Sequence, residues 1–70
     1  MRQTLEVLIN GQRQTLAGPL TIEQLLVKLK LPPRGIAVEL NQQLVPKLRH
    51  AEQPLATGDT LEIVSLVGGG

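Results

Sequence analysis

Cysteine is absent from the 70 residues, and so are phenylalanine, tyrosine and tryptophan. Without thiols there is no disulfide, no thiolate nucleophile and no thiolate metal ligand, so sulfur chemistry cannot run on the chain's own side chains. Without aromatics there is no platform on which a nucleic-acid base could stack. The core must then be built from Leu, Ile and Val, within a hydrophobic fraction of 41%. Neither sign of charge dominates: seven Lys and Arg stand against six Asp and Glu, a formal +1, which is no footprint for nucleic acid or for an anionic membrane surface. No apolar run approaches the roughly 18 residues of a membrane span. The opening MRQTLEVLING has neither the apolar stretch nor the small-residue cleavage site of a secretory signal. The expectation is a small cytoplasmic protein, a monomer when free, with no nucleic-acid and no membrane partner.

An active site is equally hard to find. His50 is the only histidine and lies in a polar segment, without a Ser, a Cys or paired carboxylates at readable spacing; it reads as a solvated surface residue. Asp59 and Glu62 flank a turn and a strand and read as structural. The chain offers no catalytic residue, no metal ligand cluster and no cradle for a bound cofactor.

What is present is a clear pattern of elements. TLEVLING puts Leu5, Val7 and Ile9 on one face at period two and then meets Asn10-Gly11, a dipeptide suited to the positive φ angles of a type I′ turn. QRQTL returns as a second strand with Leu16 opposite Leu5. That register sets Gln12 and Gln14 beside Ile9 and Val7, so this strand is an edge or is slightly shifted. In LTIEQLLVKLKLPP, Thr21 and Gln24 form a capping box, Leu20 can staple onto Leu25, and Ile22, Leu25, Leu26 and Leu29 make one apolar stripe. Lys28 and Lys30 suit the negative end of that helix, and Pro32-Pro33 is expected to stop it.

IAVEL then alternates Ile36, Val38 and Leu40 inward, NQQ turns the chain, and LV forms a short strand that Pro46 ends or marks as an edge. KLRHAEQPLATGD reads as irregular, anchored by Leu48 and Leu55. Gly58-Asp59 turns into TLEIVSLV, where Leu61, Ile63, Ser65 and Val67 share one face and Val64 and Leu66 point to the other. The order β-β-α-β-β-β with a single helix predicts an α+β, β-grasp fold with the helix on one face of a mixed sheet. Val64 and Leu66 would then sit on the uncovered face. They read either as a partner-docking patch or as scattered surface apolar residues.

The chain ends in SLVGGG. Gly68, Gly69 and Gly70 cannot pack a core, and no helix follows them as a phosphate loop would need. The remaining functional group is the terminal carboxylate. Adenylation by ATP on a partner enzyme would convert it to a mixed anhydride open to a sulfur or nitrogen nucleophile. Side-chain-free residues suit passage through a narrow channel.

AVELNQQLVPK (residues 37–47), PLATGDTLEIVSLV (residues 54–67) and the final GGG resemble the ThiS family of sulfur carriers in thiamin thiazole biosynthesis, and the resemblance runs the whole length. It implies a ubiquitin-like β-grasp domain over residues 1–67 and a glycine tail over residues 68–70. It further implies that Gly70 is adenylated and converted to a thiocarboxylate and that Gly68 and Gly69 enter the partner's active site, with Val64 and Leu66 on the uncovered face as the expected docking residues. Gly69 and Gly70 match the family's diglycine; Gly68 goes beyond it. The implied partners are a ubiquitin-activating-like adenylyltransferase that uses ATP and Mg²⁺, a thiazole synthase, and a sulfur donor such as a cysteine desulfurase. The protein would be a carrier and not an enzyme. The small subunit of molybdopterin synthase is similar in chemistry but carries an aromatic or proline-containing segment before its glycines, where IVSLV here is aliphatic. A ubiquitin-like modifier and a noncovalent docking module are the alternatives of other classes.

Overall fold

The computed structural model of the chain describes residues 3–32 and 34–66. Strands β1 (Gln3–Ile9) and β2 (Gln12–Gly18) form the first hairpin, and helix α1 spans Ile22–Lys28. Strands β3 (Ile36–Leu40) and β4 (Gln43–Val45) form a second hairpin; a 3₁₀ helix over Lys47–Glu52 and strand β5 (Thr60–Ser65) follow. The five strands make one sheet in the order β2-β1-β5-β3-β4, with β1 and β5 parallel and every other neighbour antiparallel.

Both hairpins turn through two residues of positive φ, Asn10-Gly11 (51° and 83°) and Asn41-Gln42 (52° and 71°). That geometry matches the right-handed twist of the strands they join. In the first hairpin Leu5 faces Leu16, Val7 faces Gln14 and Ile9 faces Gln12, the unshifted register. The glutamines are tolerated beside the core because β2 is the sheet's edge.

Leu5, Val7, Ile9 and Leu16 of the first hairpin, Val38 of β3 and Leu61 of β5 join Ile22 and Leu25 of α1 and Leu55 in a buried, wholly aliphatic core. Each of these side chains, once buried, is worth about 1.5–3 kcal/mol of transfer free energy. Leu20, Leu26, Leu29, Ile36 and Leu40 pack half-buried around it. This is the β-grasp arrangement that the element order predicts, with one helix across one face of the sheet.

The capping box of α1 is closed in both directions: Gln24 N–H donates to Thr21 Oγ1 (3.2 Å), and Thr21 N–H donates to Gln24 Oε1 (2.9 Å). The other end differs from expectation. The helix stops at Leu29, ahead of the prolines, because Lys30 takes a left-handed conformation (φ 60°). Lys30 N–H then bonds Val27 O (2.9 Å) and Leu31 N–H bonds Leu26 O (3.1 Å), the pair of bonds of a Schellman motif with lysine where glycine is usual. Pro32 only prevents resumption.

The segment read as irregular contains the 3₁₀ helix, and its anchors are not the expected pair. Leu55 is buried, but Leu48 is 92% exposed. The residue that turns inward is His50, 6% exposed, with Nε2 donating to the Val45 carbonyl oxygen at 3.0 Å. His50 is therefore part of the folded interior and not a solvated surface residue. Past the 3₁₀ helix, Ile22 N–H bonds Gln53 O and Leu55 N–H bonds Leu20 O, so Leu55 is held against the helix entry.

Candidate functional site

The site is built around the last turn of β5. This strand lies at the centre of the sheet, and two asparagines hold its flanks. Asn10 closes β1 and uses its side-chain amide as one more rung: Oδ1 accepts from Ile63 N–H (2.7 Å) and Nδ2 donates to Ile63 O (3.1 Å). On the other flank Asn41 Oδ1 accepts from Thr60 N–H (2.9 Å) while its Nδ2 donates to Asp59 Oδ1 (3.0 Å). Asp59 Oδ2 in turn accepts from Ala56 N–H (2.7 Å), closing the turn in which Gly58 has φ 95°. Asp59 is structural, as its position suggests.

Beyond Ile63 the strand runs on beside β3, with Ala37 opposite Val64 and Ile36 opposite Ser65. Leu66 N–H makes the last described bond, 2.6 Å to the carbonyl oxygen of Gly35. Leu61 is fully buried and Ile63 packs half-buried against the core, while Val64 is 51% exposed and Leu66 68%, the alternation expected of them; Ser65, expected on the inner face, is exposed. Val67, Gly68, Gly69 and Gly70, and with them the boundary between domain and tail, lie outside the described residues.

Side chains that the sequence reading did not single out as site residues share the helix-free face with Val64. Leu8 on β1 and Leu44 on β4 are both exposed there, and Ala37, opposite Val64, is half-buried. Strand alternation carried the signal for Leu8 and Ala37; Leu44 needed the pairing of β4, which sets it opposite Glu39. Glu39 is itself directly opposite Glu62 across β3 and β5, and both are exposed.

Two hollows lie elsewhere on the domain. A cavity of about 680 Å³ opens between α1 and the 3₁₀ helix, floored by Leu26, Val27, Leu31 and Pro32 with His50 at its wall, and one of about 390 Å³ lies beside Asn10, Gln12, Gln14 and Ser65. Neither gathers a nucleophile with a base. Among the described residues no group of three His, Cys, Asp or Glu could hold a metal ion, and no helix is long and apolar enough to cross a membrane.

The ThiS family model matches residues 7–70. The sulfur carrier protein ThiS of Thermus thermophilus is 34% identical over 64 residues, covering 91% of this chain and 98% of its own. A protein of Paramagnetospirillum magneticum named thiazole synthase is 39% identical over 66 residues, which are 94% of this chain and 20% of that one, so this chain spans only a fifth of that relative. The crystal structure of the thiamine biosynthesis protein ThiS from Geobacter metallireducens superposes with a TM-score of 0.80 at 28% identity, covering 94% of this chain and 100% of that one. In sequence and fold, the chain belongs to the ThiS family.

Proposed function

We propose that this protein carries sulfur for the thiazole of thiamin on the carboxylate of Gly70. The reading rests on one observation above all. The strand that exposes Val64 and Leu66 on the helix-free face is the one whose next residues are Val67 and the three glycines. A docked partner would thus receive the chain end directly.

The chemistry is supplied by partners. On a separate adenylyltransferase the Gly70 carboxylate oxygen attacks the α-phosphorus of ATP, aided by Mg²⁺, and pyrophosphate leaves. The outer sulfur of a persulfide on a donor such as a cysteine desulfurase then attacks the acyl carbon; the bond to the phosphate oxygen breaks and AMP leaves, and a thiol reductant cleaves the resulting acyl disulfide, so that a thiocarboxylate is released and the thiol and the donor sulfur end as a disulfide. Gly68 and Gly69, lacking Cβ atoms, let the end pass through a narrow entry. A thiazole synthase is the acceptor. The similarity of this chain to one fifth of a thiazole synthase supports that pairing, since carrier-like and synthase sequence share one polypeptide there. The protein would act in the cytoplasm, as a monomer when free.

Intact mass spectrometry after incubation with the adenylyltransferase, ATP, Mg²⁺ and a sulfur source tests this. Exchange of one oxygen for sulfur at the activated acyl group adds about 16 Da. An unchanged mass, or a covalent adduct joining Gly70 to lysines of other proteins, would sink the carrier reading.

A further inference from the structure

The glutamate pair across β3 and β5 has no rationale in the fold. Glu39 and Glu62 stand directly opposite on the helix-free face, where facing side chains start about 4.5–5.5 Å apart and like charges destabilise a sheet. The five strands carry three glutamates, Glu6, Glu39 and Glu62, and a single cation, Arg13. Arg13 is on β2, two strands from Glu62 and three from Glu39. No described hydrogen bond or ion pair relieves either member of the pair. The row is flanked by exposed Leu44 opposite Glu39, and the next row along the strands is Ala37 and Val64.

We infer that Glu39 and Glu62 are the charged element of the docking face and that its occupant is a basic protein surface, one that offers Arg or Lys to the two carboxylates while its apolar part covers Val64, Ala37 and Leu44. A lone apolar patch would accept many partners. A pair of like charges beside it rejects acidic and neutral surfaces and admits only one that brings compensating cations. In the free protein the repulsion is present; in the complex it is relieved. The proposal rests on the carrier reading for the identity of the partner, the adenylyltransferase, and adds the chemistry of that partner's surface.

Thermal unfolding and calorimetric titration of the adenylyltransferase test it together. Glu39→Gln and Glu62→Gln should each raise the Tm of the free carrier by about 2–4 °C, and the double variant should gain little more, because either change alone removes the repulsion. Each should weaken binding about five- to tenfold at about 50 mM salt, with the difference closing near about 0.5 M as screening takes over. Glu62→Lys, which sets a lysine opposite Glu39, should stabilise the free protein further and bind more weakly still. Glu52→Gln, with the same charge change on the 3₁₀ helix, should leave binding unchanged. Equal loss from Glu52→Gln, unaltered binding by Glu39→Gln and Glu62→Gln, or a fall in Tm for both would overturn the inference. Thiocarboxylate formation by the wild-type protein is read separately. If it fails while the charge dependence holds, the carrier reading is wrong and the docking chemistry stands.

Discussion

With Nε2 donating to the Val45 carbonyl and 6% of its surface exposed, His50 fastens the end of β4 to the 3₁₀ helix that follows. Removing the ring would leave a hole in the interior and delete the bond to Val45, both of which cost stability. We predict that His50→Ala lowers stability by about 2 kcal/mol, seen as a Tm lower by roughly 8–16 °C, while thiocarboxylate yield from the remaining folded protein is unchanged. A surface histidine would give a change near zero. The sequence reading placed this residue in solvent and Leu48 inside, and the reason is physical. In KLRHAE apolar and polar residues follow no readable period, and a helix of three residues per turn set just after Pro46 is phased by its packing against α1, which is distant in the chain, and by the bond from His50 to Val45. Thr21 and Gln24 were legible because a capping box is closed between residues three apart. Lys30 was not, since a lysine gives no sign of a left-handed φ.

At the scale of elements, Asn10 and Asn41 do the same work on opposite sides of β5. Each turns a hairpin and then lends its side-chain amide to the central strand. Asn10→Gly keeps a residue able to adopt the turn's φ of 51° but deletes the two bonds to Ile63. The expected loss is about 1–2 kcal/mol, measurable by urea unfolding, with hydrogen exchange at the Ile63 amide accelerated more than in β4. Equal acceleration throughout the sheet would show the amide to be dispensable to β5 in particular. The turns themselves were legible from Asn-Gly and Asn-Gln-Gln, and the faces of β1, β3 and β5 from strict alternation. The reach of the asparagines into a third strand was not, because it exists only once β5 has entered between β1 and β3.

For the whole molecule, folding and function are expected to separate cleanly. Leu66→Asp changes a residue that is 68% exposed, so stability should move by less than about 0.5 kcal/mol while affinity for the adenylyltransferase falls at least tenfold. Loss of the far-UV circular dichroism signal instead would make Leu66 a core residue. Deletion of Gly70 should leave the Tm untouched and reduce adenylation by roughly a hundredfold or more, since a reacting group displaced by even about 1 Å can cost that much. Full yield from the shortened chain would mean that the position of the terminus is immaterial. The β-grasp class was legible because it follows from element order. The make-up of the helix-free face was not, because Leu44, Glu39, Glu62 and Val64 are neighbours only through the pairings of β3 with β4 and β5.

The place of β5 also bears on how the protein is made. β1 and β2 form one hairpin, β3 and β4 another, and in the sheet the two meet only through β5, the last strand in the sequence. During synthesis both hairpins and α1 leave the ribosome with open sheet edges and without Leu61 to complete the core, and pairing of the two hairpins into one sheet has to wait for Thr60–Ser65 to emerge. A nascent chain that is interrupted earlier therefore has no assembled docking face to offer. If the protein is activated as proposed, a copy lacking β5 would present no joined sheet to the activating enzyme, and the strand order itself would keep ATP from being spent on it.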